Sequence, residues 1–303
     1  MVAATPGEPA APPGLPRAGD GAAWLLDLDG VVWLSGEPIP GAGEAVALLR
    51  GAGGRVLFAS NNSSPTVADL VRRLGDAGID AHPEEIVTSA MAAASMLEPG
   101  SSALVVGDDG LMEALAERGV HAAKAADLVS SAADAPRGTD APQDMDAPQD
   151  MDAPRGTDAP RADAVVVGYT KRFDYEILRR AADAVRAGAR LIGTNEDATL
   201  PTPDGPLPGA GSILAAVATA SGAAPAVAGK PHRPLATLVA ARAGRVAAVV
   251  GDRPSTDGAL ARLLDVPFAL VLTGVTTRAT DGLDPAPAFV GADLLAVARS
   301  ATA

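Results

Sequence analysis

The chain contains no cysteine. That absence excludes disulfides, thiolate zinc centres and cysteine nucleophiles, and nothing in the composition calls for an oxidising compartment. Aromatic residues are only 3% of the sequence, so the core must be aliphatic and built mostly from small side chains. Lysine is almost missing: it occurs only at 124, 171 and 230, against 21 arginines (24 basic residues minus 3). A formal charge of −13 leaves no cation surplus with which to neutralise a phosphate backbone, so nucleic acid is not an expected partner. No stretch approaches the ~20 uninterrupted apolar residues of a membrane helix. The first twenty residues are rich in Ala, Pro and Gly and lack the apolar centre of a signal peptide. The expectation is a disordered tail over 1–20, no membrane partner, and a soluble cytoplasmic protein.

What the sequence does hold is enough for about two domains: 303 residues, 48% of them hydrophobic. Short apolar runs alternate with helical patterns, the signature of α/β architecture with a parallel sheet. The predicted strands are Trp24–Leu26, Arg55–Ala59, Ala103–Val106, Ala164–Val167, Leu191–Ile192, Val246–Val250 and Phe268–Leu272. Predicted helices lie over Ala42–Arg50, Thr66–Ala77, Leu111–Arg118, Tyr175–Ala187, Ser212–Ser221 and Pro234–Ala243.

Residues 134–163 break this alternation with five hexads, DAPRGT, DAPQDM, DAPQDM, DAPRGT and DAPRAD. Proline in every repeat removes a ladder donor, and the apolar content is too low to fill a solenoid. The segment reads as a disordered insertion in a surface loop between Val129 and Ala164. Its eight Asp and three Arg supply −5 of the −13 charge.

Chemistry is expected where strands end, because ligands of open α/β sheets bind outside the carboxyl edge. The first apolar run delivers Asp27-Leu28-Asp29-Gly30-Val31, two carboxylates whose mutual repulsion calls for a cation. Hard oxygen ligands without a Cys or His cluster favour Mg²⁺ over zinc. An EF-hand is ruled out, since the twelfth position from Asp27 is Pro38 rather than Glu. The second run ends in Ser60-Asn61-Asn62-Ser63, which can offer donors to an anion or merely cap the next helix. Lys230 stands in Gly229-Lys230-Pro231 before a helix, where a point cation can serve a phosphoryl group or simply be solvated. A later strand leads into Gly251-Asp252-Arg253-Pro254-Ser255-Thr256-Asp257, a second acid pair that can complete a metal site or merely form a turn and a cap.

With these four strand ends in this order, the sequence resembles the haloacid dehalogenase superfamily of phosphohydrolases. It is similar above all to the NagD-like branch with a type IIA cap, which includes phosphoglycolate, pyridoxal phosphate and 4-nitrophenyl phosphate phosphatases. Ile86-Val87-Thr88-Ser89-Ala90, Gly193-Thr194-Asn195, Pro208-Gly209-Ala210-Gly211-Ser212 and Leu272-Thr273-Gly274-Val275 share the likeness, which covers about 22–298 apart from the hexads. The resemblance implies a Rossmann-like core over 21–87 and 207–303 and an inserted α/β cap over 88–206, with the hexads at about 130–163. It implies a Mg²⁺-dependent phosphatase acting on a small-molecule phosphate ester, with Asp27 as nucleophile and Asp29 as general acid and base. The metal would be held by Asp27, the Asp29 backbone carbonyl and Asp252. Ser60, Asn61, Asn62 and Lys230 would bind the phosphoryl group, with Asp257 in support. Dehalogenating members lack an acid at the position of Asp29, so that activity is not expected. Pyridoxal phosphatase-like members carry His where this chain has Leu200, which weakens the vitamin reading and leaves phosphorylated small acids or polyols open. A homodimer through the cap is kept as a candidate assembly.

Other chemistries find little support. His82, His121 and His232 lack metal spacing, Gly209-Ala210-Gly211 lacks the third glycine of a dinucleotide fingerprint, and no Gly-x₄-Gly-Lys-Ser/Thr loop occurs. A phosphoryl-transferring mutase is an alternative, but only about thirty residues separate Asp29 from Ser60, too few for the helical cap of those relatives. A signalling receiver domain mismatches in length and in its consecutive acidic pair. A non-catalytic scaffold presenting the acidic, Pro-rich hexads is the remaining reading.

Overall fold

The computed structural model describes residues 14–34, 36–128, 161–200 and 205–303. Residues 1–13 of the expected tail and 129–160 of the hexad region lie outside the described residues. In chain order the strands of the two large sheets begin with β1 (Ala23–Asp27), β2 (Arg55–Ser60) and β3 (Ile86–Thr88). Five more follow: β4 (Ser102–Val106), β5 (His121–Lys124), β6 (Ala164–Val167), β7 (Arg190–Gly193) and β8 (Ala226–Val227). The last three are β9 (Val246–Gly251), β10 (Phe268–Val271) and β11 (Phe289–Gly291). They make a six-stranded sheet ordered β11-β10-β9-β1-β2-β3 and a five-stranded sheet ordered β8-β7-β6-β4-β5. Every pairing in both sheets is parallel.

Parallel sheets need cover on both faces, and the sequence of β1 shows it. Ala23 and Leu25 pack on one side with Leu57, Ala59, Val249 and Val239. Trp24 and Leu26 face the other side, with Phe58, Val250 and residues of the helices Ala42–Gly51 and Leu294–Thr302. Each large side chain buried this way contributes about 1.5–3 kcal/mol of transfer free energy. The helix Ser89–Ala94 bridges the sheets: its alanines join the first cluster together with Ala103, Val105, Ala164 and Val166 of the five-stranded sheet.

The chain rejoins the six-stranded sheet later than residue 207. The helix Ala210–Ser221 lays Ile213, Leu214 and Val217 on the apolar face made by Leu104, Val165 and Leu191, and β8 extends the same five-stranded sheet. Burial of that helix face, unseen in a linear boundary, keeps the segment with the second sheet. Asp163, the last residue of the hexads, anchors the start of β6 by accepting hydrogen bonds from the Ser102 backbone N–H (2.7 Å) and Oγ (2.8 Å).

What positions the site is the centre of the six-stranded sheet. The chain enters at β1, builds β2 on one side and returns much later to β9 on the other, so β1 sits at a topological switch point. Asp27 pairs in register with Ala59, and Leu26 with Val250, which brings the ends of β1, β2 and β9 to one edge.

Candidate active site

Asp27 is the last residue of β1, and its Oδ1 accepts hydrogen bonds from the Leu28 N–H at 2.8 Å and from Lys230 Nζ at 2.6 Å. Lys230 precedes the helix Arg233–Ala243 and reaches back to β1, placing Nζ also 2.7 Å from Asp257 Oδ1. The ammonium therefore bridges two carboxylates with only 3% of its side chain exposed, against 12% for Asp27 and 1% for Asp257. Burial alone would lower the pKa of the lysine, but Asp257 and Asp27 outweigh it and hold it above the ordinary value. Asp27 itself is pushed well above the usual carboxylate range by burial; Lys230 opposes that rise while Asp257 and Asp252 add to it.

Asp29 lies two residues on, in the turn that follows β1. Burial raises its carboxyl, with partial opposition from the Trp33 hydrogen bond and from the charges of Lys230, Arg73 and Arg253. Trp33 Nε1 donates to Oδ1 at 3.0 Å, fixing the carboxyl through one oxygen. Gly30 follows because its φ is +86° and a Cβ there would sit 2.6 Å from Asp252 Oδ2.

Asp252 follows β9, and its Oδ2 accepts the Val275 N–H. Gly274 permits this approach, since an added Cβ would fall 2.0 Å from the same oxygen. Burial, then repulsion from Asp257, raises Asp252 to about 6. Asp257 lies in a short π-helical turn, Pro254–Gly258, where its Oδ2 accepts the Arg253 N–H at 3.1 Å.

The carboxylates of Asp27, Asp252 and Asp257 each have an oxygen within 4.8 Å of the others, an all-oxygen set that fits Mg²⁺. Asp257 has both oxygens engaged, by Lys230 and by Arg253. Asp27 Oδ2 and Asp252 Oδ1 accept no hydrogen bond from the described residues, so these two acids can hold the ion.

A cavity of about 70 Å³ is walled by Asp27, Asp29, Asn61, Asn62, Lys230 and Asp252, with Tyr169 and Leu200 contributed from the five-stranded-sheet side. It adjoins a wider cleft of about 1040 Å³ that shares Asp29, Asn62, Tyr169 and Leu200 with it. Ser60 and Asp257 do not line the smaller cavity. Ser60 is buried and its Oγ accepts the Asn62 N–H at 3.0 Å, so it shapes the loop from behind. Asn61 is spent structurally: Oδ1 accepts the Lys230 N–H at 2.7 Å, while Nδ2 donates to Asp197 Oδ2 at 3.0 Å.

Three further residues bear on the site beyond those expected of it: Trp33, Asp197 and Arg253. Trp33 is one of two tryptophans and stands four residues after Asp29, a signal in principle. Asp197 carried no local signal at all. His232, by contrast, pairs with Glu196 at 2.9 Å near the surface and does not line the small cavity.

Comparison with known proteins identifies the family. A haloacid dehalogenase-like hydrolase family matches residues 24–121, and a HAD-hydrolase-like family matches 227–297. The D-glycerol 3-phosphate phosphatase of Mycobacterium tuberculosis is 36% identical over 279 residues, 89% of this chain and 69% of that protein. An acid sugar phosphatase of Staphylococcus saprophyticus is 31% identical, covering 84% of this chain and 88% of that protein. Among solved structures, the glycerol phosphate phosphatase of M. tuberculosis in complex with magnesium superposes with a TM-score of 0.74 at 33% identity, over 92% of this chain and 76% of that one. The p-nitrophenyl phosphatase of Archaeoglobus fulgidus gives a TM-score of 0.74 at 28% identity, over 93% and 99%. The chain therefore belongs to the haloacid dehalogenase-like hydrolases, within the phosphatase branch to which these relatives belong.

Proposed function

We propose that the protein is a Mg²⁺-dependent phosphatase that hydrolyses small phosphate monoesters through an aspartyl-phosphate on Asp27. The observation that carries this reading is the placement of Asp27 against Lys230 at 2.6 Å with Asp29 on the same small cavity. Asp27 attacks phosphorus as the ester P–O bond breaks, and Asp29 gives its proton to the departing alkoxide oxygen. Asp29 then takes a proton from the water that attacks the phosphorus of the aspartyl-phosphate, releasing inorganic phosphate and freeing Asp27. A carboxyl raised by burial suits the first of these tasks, because it stays protonated where an exposed aspartate would not. Lys230 offsets the negative charge of nucleophile and phosphoryl group, which otherwise repel.

Asp27, Asp252 and the Asp29 backbone carbonyl would hold Mg²⁺, which when bound supplies charge stabilisation to the phosphoryl oxygens. Asn62 on the cavity wall serves the phosphoryl group, and Ser60 supports it by holding the Asn62 amide. Asp29 stands where the small cavity meets the wider cleft, so the leaving alcohol extends into the cleft past Tyr169 and Leu200. Leu200 stands there in place of the His of pyridoxal phosphatase-like members, which leaves phosphorylated polyols and small acids open as substrates. The names of the relatives point to glycerol phosphate and acid sugar phosphates as first substrates to try.

Phosphate release from glycerol phosphate, phosphoglycolate and 4-nitrophenyl phosphate, with Mg²⁺ and with chelator, tests the reading. Turnover should need the metal and vanish in Asp27→Asn; full activity in that variant, or indifference to chelator, would overturn it.

A further inference from the structure

The segment Thr194–Asp197 runs from the end of β7 into a crowded junction with the catalytic loops. Asp197 uses both carboxylate oxygens across that junction: Oδ2 accepts from Asn61 Nδ2 at 3.0 Å and Oδ1 from Arg253 Nη1 at 3.1 Å. Asn61 in turn brackets Lys230, accepting its N–H at 2.7 Å and donating to its carbonyl at 3.2 Å. One side chain thereby ties together the loop after β2, the loop that carries Lys230 and the guanidinium beside Asp252.

The junction has no slack. The Asp197 backbone N–H donates to Asn195 Oδ1 at 3.0 Å, and its carbonyl accepts the Gly211 N–H at 3.0 Å. Asn195 Nδ2 donates to the Asn61 carbonyl at 2.6 Å. A Cβ on Gly229 would lie 2.5 Å from the Thr194 carbonyl oxygen and 2.6 Å from Asn61 Oδ1; one on Gly211 would lie 2.3 Å from the Glu196 carbonyl oxygen. The glycines of Gly209-Ala210-Gly211 thus admit backbone against backbone, which accounts for that motif without a nucleotide.

We propose that Asp197 is a positioning residue of the phosphatase, holding Asn61, and through it Lys230, while fixing the Arg253 side chain on the cavity wall. This rests on the function proposed above. An ionised carboxylate is acceptor-only and can serve two donors at once, whereas an asparagine offers one acceptor and turns an NH₂ against a second donor. The Arg253 backbone does not depend on Asp197, because its N–H is held by Asp257. What Asp197 controls is the guanidinium and the Asn61 amide, so its effect belongs to site geometry rather than to the fold of β9. Its side chain and that of Arg253 are each 22% exposed, so the pair also meets solvent from the cavity.

Asp197→Asn should lower kcat by about 10- to 100-fold while KM changes far less, the pattern of a misplaced catalytic group. Hydrogen exchange at the Lys230 amide should quicken in the same variant, a readout that needs no turnover. Combining Asp197→Asn with Arg253→Gln should cost little more than the worse single change, because both cut one contact. Asp163→Asn, which loosens only the start of β6, should leave kcat unchanged. Wild-type kcat together with unaltered Lys230 exchange in Asp197→Asn overturns the proposal, as do losses that multiply in the double variant. If Asp197→Asn does not fold, Arg253→Gln alone decides: lowered kcat at similar KM supports the link, and wild-type kinetics refute it. A wild-type protein without phosphatase activity would defeat the proposed function, leaving the exchange measurement to judge Asp197 on its own.

Discussion

Replacing Lys230 by Met keeps the aliphatic stem and removes only the charge that sits 2.6 Å from Asp27 and 2.7 Å from Asp257. With an effective dielectric constant of about 20, each contact is worth about 6 kcal/mol of Coulomb energy, most of it offset by desolvation. Breaking a buried pair while leaving the partner charged costs about 3–5 kcal/mol. In a chain of this size that corresponds to a melting point lower by about 5–15 °C, measured with chelator present so that no metal compensates. The deficit should depend on pH in a defined direction. Asp27 is raised in the folded state, so its ionisation opposes folding increasingly as pH rises from the unfolded value through the folded one. Without Lys230 the groups that raise it are unopposed, and the penalty grows on the alkaline side. The variant should therefore lie closer to wild type at pH 5 than at pH 8 in differential scanning calorimetry. Turnover should fall by about 10²- to 10³-fold, as for loss of one preorganised charge at a reacting oxygen. Equal deficits at both pH values, with near-normal turnover, would refute the electrostatic account of the site.

Three further expectations follow from other residues. Asp29→Asn should cost about 10²- to 10⁴-fold with alkyl phosphates and much less with 4-nitrophenyl phosphate, whose leaving group departs without a proton; the ratio of the two turnover rates is the measurement. The alkaline limb that deprotonation of Asp29 gives to wild-type kcat should disappear in the same variant. Gly274→Ala places a methyl 2.0 Å from Asp252 Oδ2 and should raise the Mg²⁺ concentration for half-maximal activity by about 10- to 100-fold, whereas Gly75→Ala, with nothing within 4 Å, should leave it alone. Deleting residues 134–160 while keeping Asp163 on Ser102 should retain turnover; its loss would give the hexads a part in the chemistry.

Much of this was legible because the central strands are buried on both faces and so read as continuous apolar runs. Trp24–Leu26, Arg55–Ala59 and Val246–Val250 were predicted within a residue or two of β1, β2 and β9. Edge strands were not. β5 alternates exposed and half-buried residues over His121–Lys124, β8 is only two residues long, and β11 is three, so none presents a periodic signal. The short helix Ser89–Ala94 goes unpredicted because six residues cannot show an amphipathic period, and Ala259–Leu264 is signalled only by Asp257 as a candidate cap. At the site, Asp27, Asp29, Lys230, Asp252 and Asp257 could be read because each follows a strand or precedes a helix. Asp197 could not, since its partners Asn61 and Arg253 lie 136 and 56 positions away and only the fold brings them together. The Asn61 side chain shows the reverse difference: its residue type suggested phosphate binding, while its amide is consumed in bracketing Lys230.

The bridge that Lys230 makes between Asp27 and Asp257 has one more consequence. In a small metal domain whose acids are balanced only by the ion, losing the ion means losing the fold. Here part of the counter-charge is covalently attached and cannot diffuse away. The divalent ion would then be the exchangeable part of the site, and its supply should govern how fast the protein works rather than how long it lasts. A fall in free Mg²⁺ would then idle the catalyst without exposing it to proteolysis, and activity would return with the ion and without refolding.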